Sequence, residues 1–368
     1  MAFAMRIIHL SYARVKSDDP ERWLEEISFF TGILKEQAKK NTVMSIHCLL
    51  RKGIVVKEKV EYHFLKRTII QIIFPFATHR YVTKLKPEVV LVHGLHFGWQ
   101  ILWLRVQLGN RTRIFVQHHA EKPHRFPKNW IQKTADYFIE GYFFVSQTMA
   151  KPWVEAKQIK FLSKVHEVME ASSIFSPRSR VEAKRQTQAR GDLIYLWVGR
   201  LDANKDPLIL IKAFKKFART NPSVRLYIIY AGGNLKQQIT EQLESEEGHS
   251  SCINVVGSVP HSELLYWFNS SDFVISTSHY EGSGIAVCEA MSCGCIPIIT
   301  NIPSFKMMTN NEEAGILFPA GDETLLYNAL INSLTLNREA QHQKTRHLFE
   351  TNLSFEAIAS RMALVMER

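Results

Sequence analysis

Cysteine is scarce, at five among 368 residues. An odd, scattered set (Cys48, Cys252, Cys288, Cys293, Cys295) supplies no disulfide framework. Cys293-Gly-Cys295 has no second Cys or His cluster at zinc-ligand spacing, so the pair reads as small buried residues beside Pro297. No G-x-G-x-x-G follows the first apolar run, and no G-x-x-x-x-G-K-[ST] occurs. These absences argue against a dinucleotide oxidoreductase and a P-loop NTPase. No Asp-x-Asp pair is present to hold a divalent cation against a diphosphate, and no metal is expected. Long apolar runs are missing as well. The stretch 69–77 is interrupted by Gln71 and Pro75, and 89–104 by His93, Gly94, His96, Gly98 and Gln100. Neither approaches the ~20 apolar residues that cross a bilayer. The first residues lack the basic region of a signal peptide, so the expectation is a cytoplasmic protein, at most peripheral on the inner face of a membrane.

What remains is a globular composition, 46% hydrophobic and 22% charged, which excludes disordered and collagen-like classes. The length suits two domains, each able to bury its own core. The net charge of +11 is unevenly placed: residues 1–175 hold 27 Lys and Arg against 15 Asp and Glu, and the remainder 19 against 20. A basic half beside a neutral half suits an anionic partner such as a phosphate-bearing substrate, an anionic lipid or nucleic acid. A merely solvated basic surface is the alternative.

Apolar runs alternate with helical periods in both halves, the pattern of a parallel sheet covered on two faces. Strands are expected at 5–11, 43–49, 89–93, 114–118 and 142–146, then at 193–198, 224–230, 253–256, 273–276 and 296–300. One helix is expected over 20–39, with Asp18 or Asp19 as cap and Pro20 in the first turn. Others fit 207–220, 235–245, 262–269, 285–293, 323–334 and 354–366. The polar, basic segment 176–192 reads as a loop at a domain junction. Trp99 and Trp103, four apart, read as core.

The segment Ser278-His-Tyr-Glu281-Gly-Ser-Gly-Ile-Ala-Val-Cys-Glu289 carries the most chemistry. Gly282 and Gly284 allow a tight turn that approaches a ligand closely. The helix opening at Ile285 aims free N–H groups outward, a site for diphosphate. Glu289 lies about five residues further, ~7–8 Å along the axis, comparable with the step from diphosphate to ribose. A carboxylate there can accept from ribose hydroxyls, while Glu281, before the turn, falls near a transferred sugar. Two surface glutamates flanking a Gly-rich turn are the plain alternative.

Glu281 and Glu289 match the E-x7-E motif of glycosyltransferase family 4, and the segment around them resembles that family throughout. Val198-Gly199-Arg200-Leu201-Asp-Ala-Asn-Lys205-Asp-Pro207 is similar to its second signature. The resemblance implies a GT-B fold: α/β, two Rossmann-like domains facing a central cleft, with a C-terminal helix crossing back to the first. The expected division is 1–170 on the acceptor side, 171–345 binding nucleotide-sugar, and 346–368 as the returning helix. It also implies that Arg200 and Lys205 bind the donor diphosphate, whose developing charge two cations beside a helix N-terminus can neutralise. Gly199, Ser283 and Ile285 fall in the same donor site, and Val259 and Pro260 flank the base. The co-substrate is a UDP- or GDP-sugar, with no further cofactor, and the reaction moves a hexosyl group with retention to a hydroxyl acceptor. A lipid-linked or polysaccharide acceptor and an anionic membrane surface are the further partners expected, and nucleic acid is not.

The first half departs from the family, because 11–20 lacks the glycine pair usual after the first strand. Arg14 or Lys16 is expected to supply charge there instead. His93, His96, His118 and His119 lie at the predicted strand ends, where open α/β sheets bind ligands. His119 or His118 fits the family's histidine near the sugar. The alternatives are an inactive GT-B module binding an anionic partner, and a GT-B epimerase or phosphorylase.

Overall fold

The computed structural model describes residues 4–244 and 252–367 and divides into two compact α/β units. The first comprises residues 1–172 with 355–368, the second residues 173–354.

Unit 1 is built on eight strands: β1 (Arg6–Arg14), β2 (Thr42–Leu49), β3 (Gly53–Lys57), β4 (Val60–Lys66), β5 (Val89–His93), β6 (Arg113–Gln117), β7 (Gly141–Phe144) and β8 (Val165–Glu167). Their order is β3-β4-β2-β1-β5-β6-β7-β8, and every pair is parallel except the β3–β4 hairpin. That hairpin escapes sequence reading for a definite reason. Its two-residue turn, Glu58-Lys59, holds both residues at positive φ without the Asn-Gly or Gly that normally marks such a turn.

The helix expected over 20–39 is two. Asp19 caps Pro20–Glu26 by accepting from the Glu21 and Arg22 amides, and the chain leaves helical geometry at Ile27 before Ser28–Gln37. Leu24, Ile27 and Leu34 of this pair pack on Val43, Val60, Tyr62 and Phe64. Trp99 and Trp103 do not enter the core. Helix Gly98–Leu108 turns Ile101, Leu104 and Arg105 inward, leaving Trp99 at the surface and Trp103 half-buried against Phe76.

Unit 2 carries β9 (Leu193–Leu201), β10 (Val224–Gly233), β11 (Ile253–Gly257), β12 (Phe273–Ser276), β13 (Ile296–Thr300) and β14 (Ile316–Phe318), all parallel, in the order β11-β10-β9-β12-β13-β14. Alternation along β9 explains why its first six residues, Leu193–Val198, are all apolar. Tyr195 and Trp197 face Phe214 and Phe217 of helix Pro207–Thr220, whereas Ile194 and Leu196 face Trp267, Phe268 and Ala290. The expected helix 235–245 is Lys236–Glu244, and its last expected residue, Ser245, lies outside the described residues.

Residues 176–192 are not a loop. They contain helix Arg180–Thr187, which starts under a Ser179 cap. Arg180 makes a two-pronged ion pair with fully buried Asp272 at 2.6 and 2.7 Å, and Asp272 also accepts from the Ile194 amide at 2.8 Å. Charge pairing, invisible as periodicity, orders this segment.

The segment expected as one terminal element, 346–368, divides. Helix Arg338–Leu348 and the π turn Phe349–Leu353 lie in unit 2, and helix Phe355–Met366 packs on helix Ser28–Gln37 in unit 1. Gly32 makes that packing possible, since a Cβ there would stand 2.6 Å from the Phe355 ring.

Candidate functional site

In unit 2 the chemistry gathers where β9 and β12 end. After β9, residues 202–206 turn into helix Pro207–Thr220. Asp202 Oδ1 accepts from the Lys205 amide at 3.0 Å, and Asp206 caps the helix in left-handed geometry. After β12, residues 277–284 run alongside. Thr277 donates to the Lys205 carbonyl at 2.6 Å, the His279 amide to the Asn204 carbonyl at 2.8 Å, and Asn204 to the Tyr280 carbonyl at 3.0 Å. These cross-links bring the Lys205 ammonium onto the Glu281 carboxylate as an ion pair. Arg200 is not part of that contact. Its side chain is 70% exposed, and its guanidinium lies 3.5 Å from Asp202.

Gly284 opens helix Ile285–Ser292 at φ +55°, and a Cβ would stand 2.5 Å from the Phe305 ring, so glycine is required twice over. Gly282 is not at positive φ. The amides opening that helix lack intrahelical acceptors, which makes its start an anion-favouring end. Gly282, Ser283 and Ile285 are half-buried around the turn, and Gly199 is half-buried against the Trp197 ring.

Glu289 is buried and already has a partner: His261 Nε2 lies 2.6 Å from its carboxylate. That bond, together with the charge, raises the His261 pKa against the effect of partial burial. His261 follows Val259 and Pro260 directly and stacks on Phe175 at 5.0 Å. It is the residue that sequence reading passed over, although it stands next to a stretch already singled out.

In unit 1 the strand-end histidines separate into two kinds. His118 is structural: it is buried, stacked on Phe144 at 4.3 Å, and donates from Nε2 to the Glu121 carbonyl at 2.9 Å. Its Nδ1 faces the Ala120 amide at 3.4 Å. His119 is partly exposed and pairs through Nδ1 with the Glu170 carboxylate. Its Nε2 meets His93 Nδ1 at 3.2 Å. Burial alone would lower the His119 pKa, but the Glu170 and Glu121 carboxylates outweigh it and the pKa is raised. Exposed His96 lies 3.2 Å from Glu121, whose carboxylate also accepts from the Leu95 amide at 2.9 Å and the His119 amide at 2.6 Å. Burial opposes ionisation of Glu121, yet the hydrogen bonds from His96 and the His119 amide hold its pKa at about 2. Gly94, at φ +109°, leaves room for this turn, since a Cβ would stand 2.8 Å from the His96 ring. Arg14 is exposed at the end of β1.

Two α/β units built on largely parallel sheets, with the candidate side chains at strand ends, define the class as a GT-B fold. A glycosyltransferase from Rickettsia africae superposes with a TM-score of 0.75 at 15% identity, covering 99% of this chain and 98% of that one. HepE from Anabaena, in complex with UDP, superposes with 0.71 at 15% identity, covering 99% and 100%. The family model described as glycosyl transferases group 1 matches residues 179–366, and the chain belongs to that family. Among curated relatives, a D-inositol 3-phosphate glycosyltransferase of Thermomonospora curvata is 23% identical over 41% of this chain and 38% of its own length. A GDP-mannose:cellobiosyl-diphosphopolyprenol alpha-mannosyltransferase of Xanthomonas campestris is 23% identical over 62% and 60%. The chain thus spans about a third to three fifths of the curated relatives it matches. Among the described residues, no helix is long and apolar enough to cross a membrane.

Proposed function

We propose that the chain transfers a hexosyl group from a UDP- or GDP-sugar to a hydroxyl acceptor, with retention and without a metal ion. The Lys205–Glu281 pair carries this reading, because it is fixed beside the left-handed Gly284 turn inside the region matched by the family model. When donor binds, the pair opens. Lys205 turns to a phosphate oxygen with exposed Arg200, and Glu281 is released to accept from a sugar hydroxyl. Glu289 exchanges its bond to His261 for bonds to the ribose, and Val259 and Pro260 flank the base. The anomeric C–O bond to phosphate then breaks while a C–O bond to the acceptor forms on the same face. The acceptor's proton passes to the departing phosphate oxygen, so no carboxylate nucleophile is assigned. Lys205, Arg200 and the amides opening helix Ile285–Ser292 stabilise the charge that appears on the diphosphate. The double substitution Arg200→Ala with Lys205→Ala is expected to abolish turnover in a chain that still folds. Near-normal transfer by that variant defeats the reading.

A lipid-linked acceptor is the second part of the proposal. In unit 1, Ile69, Ile70, Ile73, Phe74 and Phe76 are exposed next to Lys66 and Arg80, an apolar knob with basic flanks. Such a surface suits shallow insertion into an anionic bilayer. The mannosyltransferase relative is named for a diphosphopolyprenol acceptor. Co-sedimentation with anionic vesicles at low salt, lost on Ile69→Asp with Ile70→Asp, is the expected result. Equal recovery of both proteins with the vesicles removes the knob from the account.

A further inference from the structure

A row of three histidines crosses the strand ends of unit 1, and each ring bonds to the next. Gln37 Oε1 lies 2.8 Å from His9 Nε2, and His9 Nδ1 lies 3.1 Å from His93 Nε2. His93 Nδ1 lies 3.2 Å from His119 Nε2, and His119 Nδ1 pairs with Glu170. The row therefore contains three hydrogen-bonded links, each with one proton between its two atoms, and ends in the His119–Glu170 ion pair, where Nδ1 must also carry a proton because a bare lone pair cannot face a carboxylate: four protons in all.

The ends decide the count. Glu170 as a carboxylate only accepts. The Gln37 amide is oriented by the terminal helix: its Nε2 donates to Met362 Sδ at 3.4 Å, which leaves Oε1 facing His9. Turning the amide over would set oxygen against sulfur and a donor against His9 Nε2. With an acceptor at each end, all four protons must come from the three rings. Three neutral imidazoles carry only three.

We propose that the His9–His93–His119 row holds one proton beyond three neutral rings, and that the resulting imidazolium is His119, with His9 and His93 as positioning residues. Reading inward from Gln37 gives the tautomers. His9 donates from Nε2 and accepts at Nδ1, His93 donates from Nε2 and accepts at Nδ1, and His119 donates from both nitrogens. The charge settles on His119 because His9 is buried and His93 half-buried, both against the Phe30 ring, whereas His119 faces two carboxylates and is partly open. The other titratable groups facing the row agree. His47 lies beside His9 and His93, and His118 beside His119; both are buried, and burial lowers the pKa of each.

One consequence concerns the site directly. With both N–H groups committed, His119 has no lone pair for a general base at neutral pH. It offers fixed positive charge, which favours a ligand oxygen that is anionic or becomes so. The proton count stands on unit 1 alone. Only its bearing on transfer rests on the glycosyltransferase reading, and the measurement below reads ring nitrogens whether or not sugar is moved.

The experiment is ¹⁵N NMR of the full chain with histidine-selective labelling, assigned by single substitutions, across pH 5.5–9. At pH 7.5 His119 is expected to show two protonated nitrogens, and His9 and His93 one each, on Nε2. Three neutral rings overturn the proposal. So does a neutral Nδ1–H form of His9. Gln37→Met removes the far acceptor without touching His119, and should lower the His119 midpoint by at least one pH unit, a tenfold loss of proton affinity. Glu170→Gln, which removes the negative charge at the near end, should do the same. An unchanged midpoint in a folded Gln37→Met variant also overturns it, because a histidine stabilised only by its nearest carboxylate would not sense a residue three links away.

Discussion

Acid should unfold the two units very unequally. His9, His47 and His79 are buried in unit 1, and burial pushes each pKa down from 6.5 to about 4; His9 adds further pressure on His47. In the unfolded chain each titrates near 6.5. The folded value is the lower one, so below pH 6.5 the unfolded state binds more protons. Stability present above pH 6.5 is therefore lost as pH falls toward 4. Each histidine removes about 1.4 kcal/mol per pH unit in that window, hence about 2 kcal/mol by pH 5. Three together remove about 6 kcal/mol at pH 5, against about 5–15 kcal/mol for a whole domain. Unit 2 buries no histidine among its described residues and serves as the internal control. Amide exchange read by mass spectrometry, corrected for the intrinsic effect of pH, separates the two. Peptides from β1, β2 and β5 should lose about four orders of magnitude of protection between pH 7 and 5, while β9 and β12 lose far less. Equal losses in both units, or full protection of β1 at pH 5, would refute the reasoning.

Three substitutions test the packing. Arg180→Met leaves the buried Asp272 carboxylate with the Ile194 amide and, of its two cations, only Arg338 at 3.4 Å, and should lower the stability of unit 2 by about 3–5 kcal/mol in urea unfolding. Adding Asp272→Asn should recover most of that loss. Gly284→Ala forces a side chain into left-handed geometry and onto the Phe305 ring, costing about 1–3 kcal/mol. Stabilisation by UDP or GDP in thermal shift should vanish in that variant, whereas Gly282→Ala keeps more of it. Gly32→Ala drives a methyl into Phe355 and should cost about 1–3 kcal/mol, with faster protease cleavage near residue 354. Phe355→Leu should restore the resistance.

Strands buried on both faces were the most readable part of the chain. β5, β12 and β13 fall on their expected residues, and helix Pro207–Thr220 starts and stops where Pro207 and Thr220 suggest. Apolar runs punctuated by Pro and Asp leave few alternatives there. What escaped depends on contacts between distant residues. The β3–β4 hairpin turns through Glu58 and Lys59, residues that do not announce positive φ. Helix Arg180–Thr187 owes its place to Asp272, 92 positions further on. The split at Ile27 has no proline or glycine to mark it. The candidate site shows the same division. Glu281 and Glu289 stood out by spacing and Lys205 by the family resemblance, and Glu281 and Lys205 meet in an ion pair. That Glu289 is already engaged by His261 follows only from the fold, since 28 residues separate them. The histidine row is likewise assembled from β1, β5 and the turn after β6, and no local pattern joins His9 to Glu170.

Unit 1 is discontinuous in the chain: it leaves at Ser172 and is completed only by residues from Phe355 onward. During synthesis its sheet can form early, but the face around Gly32 and the amide of Gln37 must wait about 180 residues for their cover. At about 5–20 residues per second that is a delay of roughly 9–36 s. For that time the nascent amino-terminal half carries an open apolar seam, so a chaperone or a ribosome-proximal partner has its natural opportunity there.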